Sequence, residues 1–293
     1  MVIHRMMRHN GNHVWVWWVR AVQWRCCGRE DKASTNDMTT QNQVDQGRLM
    51  WRLSTHPRDV ERAMRLRYQV FAEELQARVH SPSPGLESDA FDAHCEHLLV
   101  EERDTGKLVG YTRLLGDEGA RSGCGFYSQS EFVMDAVLGL PGRRVEVGRT
   151  CIHRDHRDGV TIAVLWSGIG AYLVERHVNY LIGCASIPLE YGLEKVHMLI
   201  ARLLVRHGLP AELPVQPRHP LPKVASDDAA VSGQPGDTDL IPVPPLLKAY
   251  LRLGGRLSQG AHWDEDFRVA DMFVLVERAR IPRRYRQHFV GDA

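Results

Sequence analysis

The stretch VEVGRTCIHRDHRDGVTI, residues 145–162, decides how the rest of the chain is read. Val145, Val147, Thr150, Cys151 and Ile152 give it the character of a buried strand, yet Glu146 and Arg149 sit inside it. An unpaired carboxylate buried there costs on the order of several kcal/mol. Glu146 therefore either pairs with Arg149 or is kept buried for chemistry. Residues three apart on a regular strand face opposite ways. A one-residue bulge at Gly148 would bring Glu146 and Arg149 to the same side. Past the strand come His153, Arg154, His156 and Arg157, then Gly159 and the apolar run that opens at Val160. A basic turn leading into a helix N-terminus suits an anion, because unpaired N–H groups and the helix dipole point at it.

Outward from this centre the elements alternate. Val60, Ala63, Met64, Arg67, Val70 and Phe71 recur at spacings of three and four, which predicts a helix from Arg58. SPSPGLES, residues 81–88, reads as a loop. HLLVEER and KLVGYTRLL flank DTG as a β-hairpin. FYSQSEFVMDAVLG reads as an irregular helix, VTIAVLWSGIGAYLVERHV as an apolar helix and YLIGCASIP as a buried strand. LEKVHMLIARLLVRHG and PPLLKAYLRLG predict two more helices, and DMFVLVERARIP a last strand. Residues 208–245 hold nine of the fifteen prolines, which predicts a long irregular flap or insertion. The pattern is that of an α/β domain over residues 51–293 with a mostly antiparallel sheet.

The chain has 293 residues and a formal net charge of +1, so composition gives no sign of a nucleic-acid binder. Its six cysteines show no CxxC spacing and read as free thiols of a reducing compartment. Residues 1–50 stand apart as an extension outside the core. Four of the seven tryptophans lie in VWVWWVRAVQW, residues 14–24, too short to span a bilayer but suited to a membrane interface.

The strand, basic turn and helix, in this order of elements, resemble the GNAT acyltransferase fold, with a mixed, mostly antiparallel central sheet flanked by helices. RYQVFAEEL, DAFD, TRLL and EVGR follow the order and rough spacing of the acyl-homoserine lactone synthases. GFYSQSEF, GRTCIHRDHRDG, LWSGIGAYL, GCASIP and YLRLGGRLSQGAHWDEDFRVADMFVLV are more similar to the L-ornithine Nα-acyltransferases of ornithine-lipid synthesis. The resemblance extends over residues 58–289. N-acyl amino acid synthases and haemolysin-like relatives share much of the pattern. The alternatives are therefore another synthase of this fold, a coenzyme A acetyltransferase, or a non-catalytic membrane-active protein.

The resemblance implies transfer of a 3-hydroxyacyl chain from acyl carrier protein to the α-amine of ornithine, with no cofactor beyond the acyl-phosphopantetheine carrier. Of the usual glycine-rich phosphate loop only Gly159 remains, a weakened loop that points to the carrier protein's single phosphodiester rather than to coenzyme A. Glu146 would take the proton of the incoming ammonium, with Arg149 beside it. Asp89 and Asp92 would grip a cationic amino acid, or else merely cap a turn. Arg113, within a strand, needs an acid partner and finds candidates in those aspartates and Glu146. Arg154, His156, Arg157 and Gly159 would meet the pantetheine phosphate or the carrier. HRDH and HCEH lack the second cluster a zinc site needs, so no metal is expected. Cys151 and Cys184 read as buried small hydrophobes. A lipid product implies a cytoplasmic enzyme with peripheral attachment to the inner membrane.

Overall fold

A computed structural model describes residues 8–9, 12–13, 47–223, 241–283 and 285. Most of residues 1–50, including the tryptophan-rich segment, lie outside the described residues, as do residues 224–240 of the proline-rich stretch.

The core is one eight-stranded sheet. Its strands are β1 (Leu49–Ser54), β2 (Glu96–Glu102), β3 (Leu108–Gly116), β4 (Arg143–Ile152), β5 (Val178–Pro188), β6 (Arg256–Leu257), β7 (His262–Asp264) and β8 (Val269–Glu277). The order is β6-β8-β5-β4-β3-β2-β1, with β7 also on β8. Every pair is antiparallel except β4 with β5. The expected mixed, mostly antiparallel sheet is present. The expected boundary at residue 51 moves: Leu49 is buried and pairs with Glu102, so the first strand begins two residues earlier.

One face carries α1 (Pro57–Tyr68) and the segment after β3; the other is covered by α2 (Val160–Glu175), α3 (Leu193–His207) and α4 (Pro245–Arg252). Proline sits at the start of α1, where its missing N–H would have no intrahelical acceptor, and the His56 ring accepts from the Arg58 N–H. A π-helical turn, Gln69–Glu74, extends α1. The predicted irregular helix is instead two short helices, Ser128–Glu131 and Asp135–Leu138, separated by the extended pair Phe132–Val133. That pair ladders with Gln216–Pro217, and Leu209, Val215 and Leu221 are buried. The described part of the proline-rich stretch is therefore packed against the domain.

The sheet opens at its centre. Parallel pairing between β4 and β5 ends at Glu146↔Ile182, although the strands run on to Ile152 and Pro188. A Cβ on Gly183 would lie 2.5 Å from the Val147 carbonyl oxygen, so the strands approach closely at the vertex and part beyond it. The cleft between diverging strands lies at the middle of the sheet, with Glu146 at its apex.

Candidate active site

Glu146, Arg113, Cys184, Ser186 and Asp271 belong to one face of the sheet by the alternation of β3, β4, β5 and β8. Residues 126–131 close over that face. The Glu146 carboxylate accepts from the Tyr127 N–H (2.6 Å), the Ser128 N–H (2.7 Å) and the Ser128 hydroxyl. Burial pushes its pKa up, against the downward pull of these donors. A carboxylate with a raised pKa is a stronger proton acceptor, and the buried Ser128 Oγ bound to it also lies 3.4 Å from Cys184 Sγ. Among the described residues Glu146 forms no ion pair with Arg149, so that reading of the two residues fails.

The bulge exists but one residue further on. Tyr111 faces Cys151 and Arg113 faces Gly148, so Arg149 and Thr150 together oppose Thr112. Arg149, at φ 52°, takes the left-handed conformation that a glycine was expected to take. Gly148 is not the left-handed residue of the bulge, and a Cβ there would meet Arg113 Nε at 3.4 Å, an ordinary van der Waals contact.

The turn at Arg149 sends its guanidinium toward α1 and the loop after it, where six charges form a closed ring. Arg67 binds Glu87 and Asp92; Asp92 and Asp89 both bind Arg113, at 2.8 and 2.5 Å. Arg149 closes the ring at 3.2 Å from both Glu87 and Asp89. Three arginines balance three acids. Burial pushes the pKa of Asp92 up, but Arg67 and Arg113 outweigh it and hold it at about 2. Arg149 also lies between the rings of Tyr127 and Phe267, at 4.8 and 5.2 Å. Asp89 and Asp92 are thus already neutralised, and they shape their own turn: Asp92 Oδ2 accepts from the Asp89 N–H and Asp89 Oδ1 from the Phe91 N–H. The expected role as an open grip for a substrate cation does not match this geometry.

Sequence reading missed a second acidic group. Glu131, Asp264 and Asp271 each offer a carboxylate oxygen, all within 4.8 Å of one another. No lysine, arginine or histidine among the described residues forms an ion pair with any of the three. Burial, then the Asp271 charge, pushes Glu131 up to about 8; burial, against the Ser186 hydrogen bond and with the Asp264 charge, pushes Asp271 up to about 7. Asp271 could have been flagged by the same signal as Glu146, a lone acid in an apolar strand.

At the mouth, Gly159 at φ 101° starts α2, and the Asp158 carboxylate accepts from the Val160 N–H. The basic turn is not a bare cationic patch. Arg154 and Arg157 reach Glu74, and His156 reaches Glu102. Arg154 and His153 border an open cleft of about 230 Å³ whose other wall is the π-helical turn with Gln69, Glu73 and Glu74. On the far face, the Tyr250 hydroxyl is buried without a hydrogen-bond partner, 3.4 Å from where a Gly183 Cβ would sit. Cys151 is buried, and its thiol is pushed up to about 12; the Cys184 thiol is also pushed well up by burial, so neither is a ready nucleophile.

Residues 66–167 match the acetyltransferase (GNAT) domain family. The chain is 33% identical over 270 residues to the L-ornithine N(alpha)-acyltransferase of Agrobacterium fabrum, covering 84% of this chain and 87% of that protein. The chain belongs to the L-ornithine N(alpha)-acyltransferase family. A further member, from Rhizobium meliloti, is 32% identical over 84% of this N-acyltransferase and 85% of its own length. Among solved structures, an N-acyl amino acid synthase from uncultured soil microbes is 11% identical at a TM-score of 0.43, covering 79% of this chain and 92% of that one. No helix among the described residues of the N-acyltransferase is long and apolar enough to cross a membrane.

Proposed function

We propose that this N-acyltransferase moves a 3-hydroxyacyl chain from acyl carrier protein to the α-amine of L-ornithine, yielding a lyso-ornithine lipid. The observation that carries the reading is the buried Glu146 at the vertex where β4 and β5 part. An acyl-pantetheine arm extended along that gap places its thioester carbonyl beside the unpaired β4 edge, whose N–H groups polarise it. The ornithine ammonium arrives charged and must lose a proton before nitrogen can attack the thioester. Glu146 takes that proton through the Ser128 hydroxyl, which bonds to its Oε1. Nitrogen then bonds to the carbonyl carbon and gives up its second proton as the C–S bond breaks, and the pantetheine leaves as its thiol once that proton has reached the sulfur. The Tyr250 hydroxyl, unpartnered beside Gly183, is placed to donate to that sulfur.

The first turn of α2 and Gly159 hold the pantetheine phosphate, while Arg154, His156 and Arg157 line the approach of the carrier. Because acids already accompany those cations, the carrier's acidic surface competes with Glu74 and Glu102 for them. The test is a donor comparison on the full chain with ornithine as acceptor. Acyl carrier protein carrying a 3-hydroxyacyl group should react faster than the matching acyl-coenzyme A, and its advantage should shrink as salt rises. Equal rates with both donors at every ionic strength would exclude the carrier protein as the specific donor.

A further inference from the structure

The site holds two acidic groups, and only one is short of positive charge. The ring of Arg67, Glu87, Arg149, Asp89, Arg113 and Asp92 is balanced within itself. The triad of Glu131, Asp264 and Asp271 has no ion-pair partner among the described residues. Glu131 is 4% exposed, and its Oε2 is buried without a hydrogen bond. A buried acceptor left open costs stability unless something fills it.

Resting on the ornithine reading, we propose that Glu131, Asp264 and Asp271 receive the side-chain ammonium of the acceptor and so select a diamino acid over a neutral one. A primary ammonium has three N–H donors, one for each carboxylate. Three oxygens each about 2.8 Å from a tetrahedral nitrogen lie about 4.6 Å apart, which the observed spacing accommodates. The placement also fits the reaction. Ser128, which touches Glu146, and Glu131 are one helical turn apart, with Cβ atoms about 5–6 Å from each other at that spacing. The two nitrogens of extended ornithine are about 6 Å apart, from bond lengths near 1.5 Å. Ornithine held by its side-chain ammonium at Glu131 therefore presents its α-amine near Ser128 and Glu146. Other donors fix two members of the triad: Asp271 Oδ1 accepts from the Ser186 hydroxyl at 2.6 Å, and Asp264 Oδ1 from the Phe267 N–H at 2.9 Å.

The experiment compares ornithine with norvaline, which has the same carbon chain without the terminal ammonium. Binding to the full chain is measured by calorimetry and acylation by product mass, for the wild type, Glu131→Gln and Asp264→Asn. Asp264 is only half-buried, and asparagine keeps the oxygen that accepts from Phe267, so this variant preserves the fold if Glu131→Gln does not. The wild type should prefer ornithine about 10²-fold or more, and either variant should reduce that preference to less than about tenfold. Variants that fold and keep the full preference overturn the proposal. So does a preference that appears only with added Mg²⁺ or Ca²⁺ and disappears with a chelator, since the triad would then hold a metal ion. A wild type that acylates both amino acids equally overturns the triad's role but leaves N-acyl transfer standing. One that acylates neither overturns the ornithine reading, and the proposal with it.

Discussion

Glu146→Gln separates the chemical role of Glu146 from its structural one. The carboxylate anchors the start of the Ser128–Glu131 helix through three donors, two on Oε1 and one on Oε2. Glutamine can keep its oxygen toward Ser128 and so satisfy two of them. Its NH₂ then faces the Tyr127 N–H, donor against donor. One unsatisfied buried donor costs about 1–3 kcal/mol, and removing a desolvated carboxylate returns part of that. At roughly 2–4 °C per kcal/mol for a domain of this size, Tm should fall by no more than about 12 °C. Catalysis should suffer more. Loss of a positioned base is worth about 10²–10⁴-fold, or roughly 3–5 kcal/mol of barrier. The assay is steady-state acylation of ornithine at a temperature where circular dichroism shows the variant folded. Partial recovery of kcat at high pH is expected, because more acceptor amine then arrives neutral. A folded variant that retains kcat within about threefold of wild type would refute the base assignment and leave Glu146 as an anchor for the helix.

Arg67→Met opens the charge ring at its most buried member, leaving three acids to two arginines, with Arg149 the remaining partner of Glu87 and Arg113 that of Asp92; a loss of about 3–5 kcal/mol is expected in denaturant melts, and near-wild-type stability would show the ring to be dispensable. Glu131 and Asp271, with Tyr127, Cys184, Asp264 and Ser186 around them and the Arg149 charge nearby, hold protons in the fold at pH values where the unfolded chain has lost them. Their contribution therefore falls as pH rises from about 4 to about 8, and Glu131→Gln should flatten that part of a Tm-versus-pH curve. Asp92 acts with the opposite sign: the stability it contributes is present above its ordinary value of 3.8 and is lost as pH falls toward about 2. Glu74→Gln removes a carboxylate from beside Arg154 and Arg157 and should lower KM for the acylated carrier about two- to tenfold at low salt; an unchanged KM would place carrier docking elsewhere.

The architecture was legible because periodicity and turn chemistry are local. The helix from Pro57, the hairpin around Gly106 and the strand holding Glu146 all follow from a few neighbouring residues. The bulge was legible in kind but not in place. Glycine is the default for positive φ, yet here Arg149 takes that conformation, held by two acids and two aromatic rings brought from distant segments. Arg67 carried a readable signal, an arginine at an apolar spacing of a helix, but its partner Glu87 lies in a loop with nothing to mark it. The acid triad joins a short helix to two neighbouring strands, so only the folded chain brings its members together. Which acids are already balanced by arginines, and which are not, depends on these long-range pairings.

The most direct test of the central claim is mass spectrometry of the product formed by the full chain from 3-hydroxyacyl carrier protein and L-ornithine. Fragment ions should place the acyl group on the α-nitrogen, leaving the side-chain amine free. Acylation at the side-chain nitrogen would contradict the placement of the two amines at Glu146 and Glu131. Transfer to another acceptor in a mixture of amino acids, with ornithine untouched, would contradict the proposed substrate.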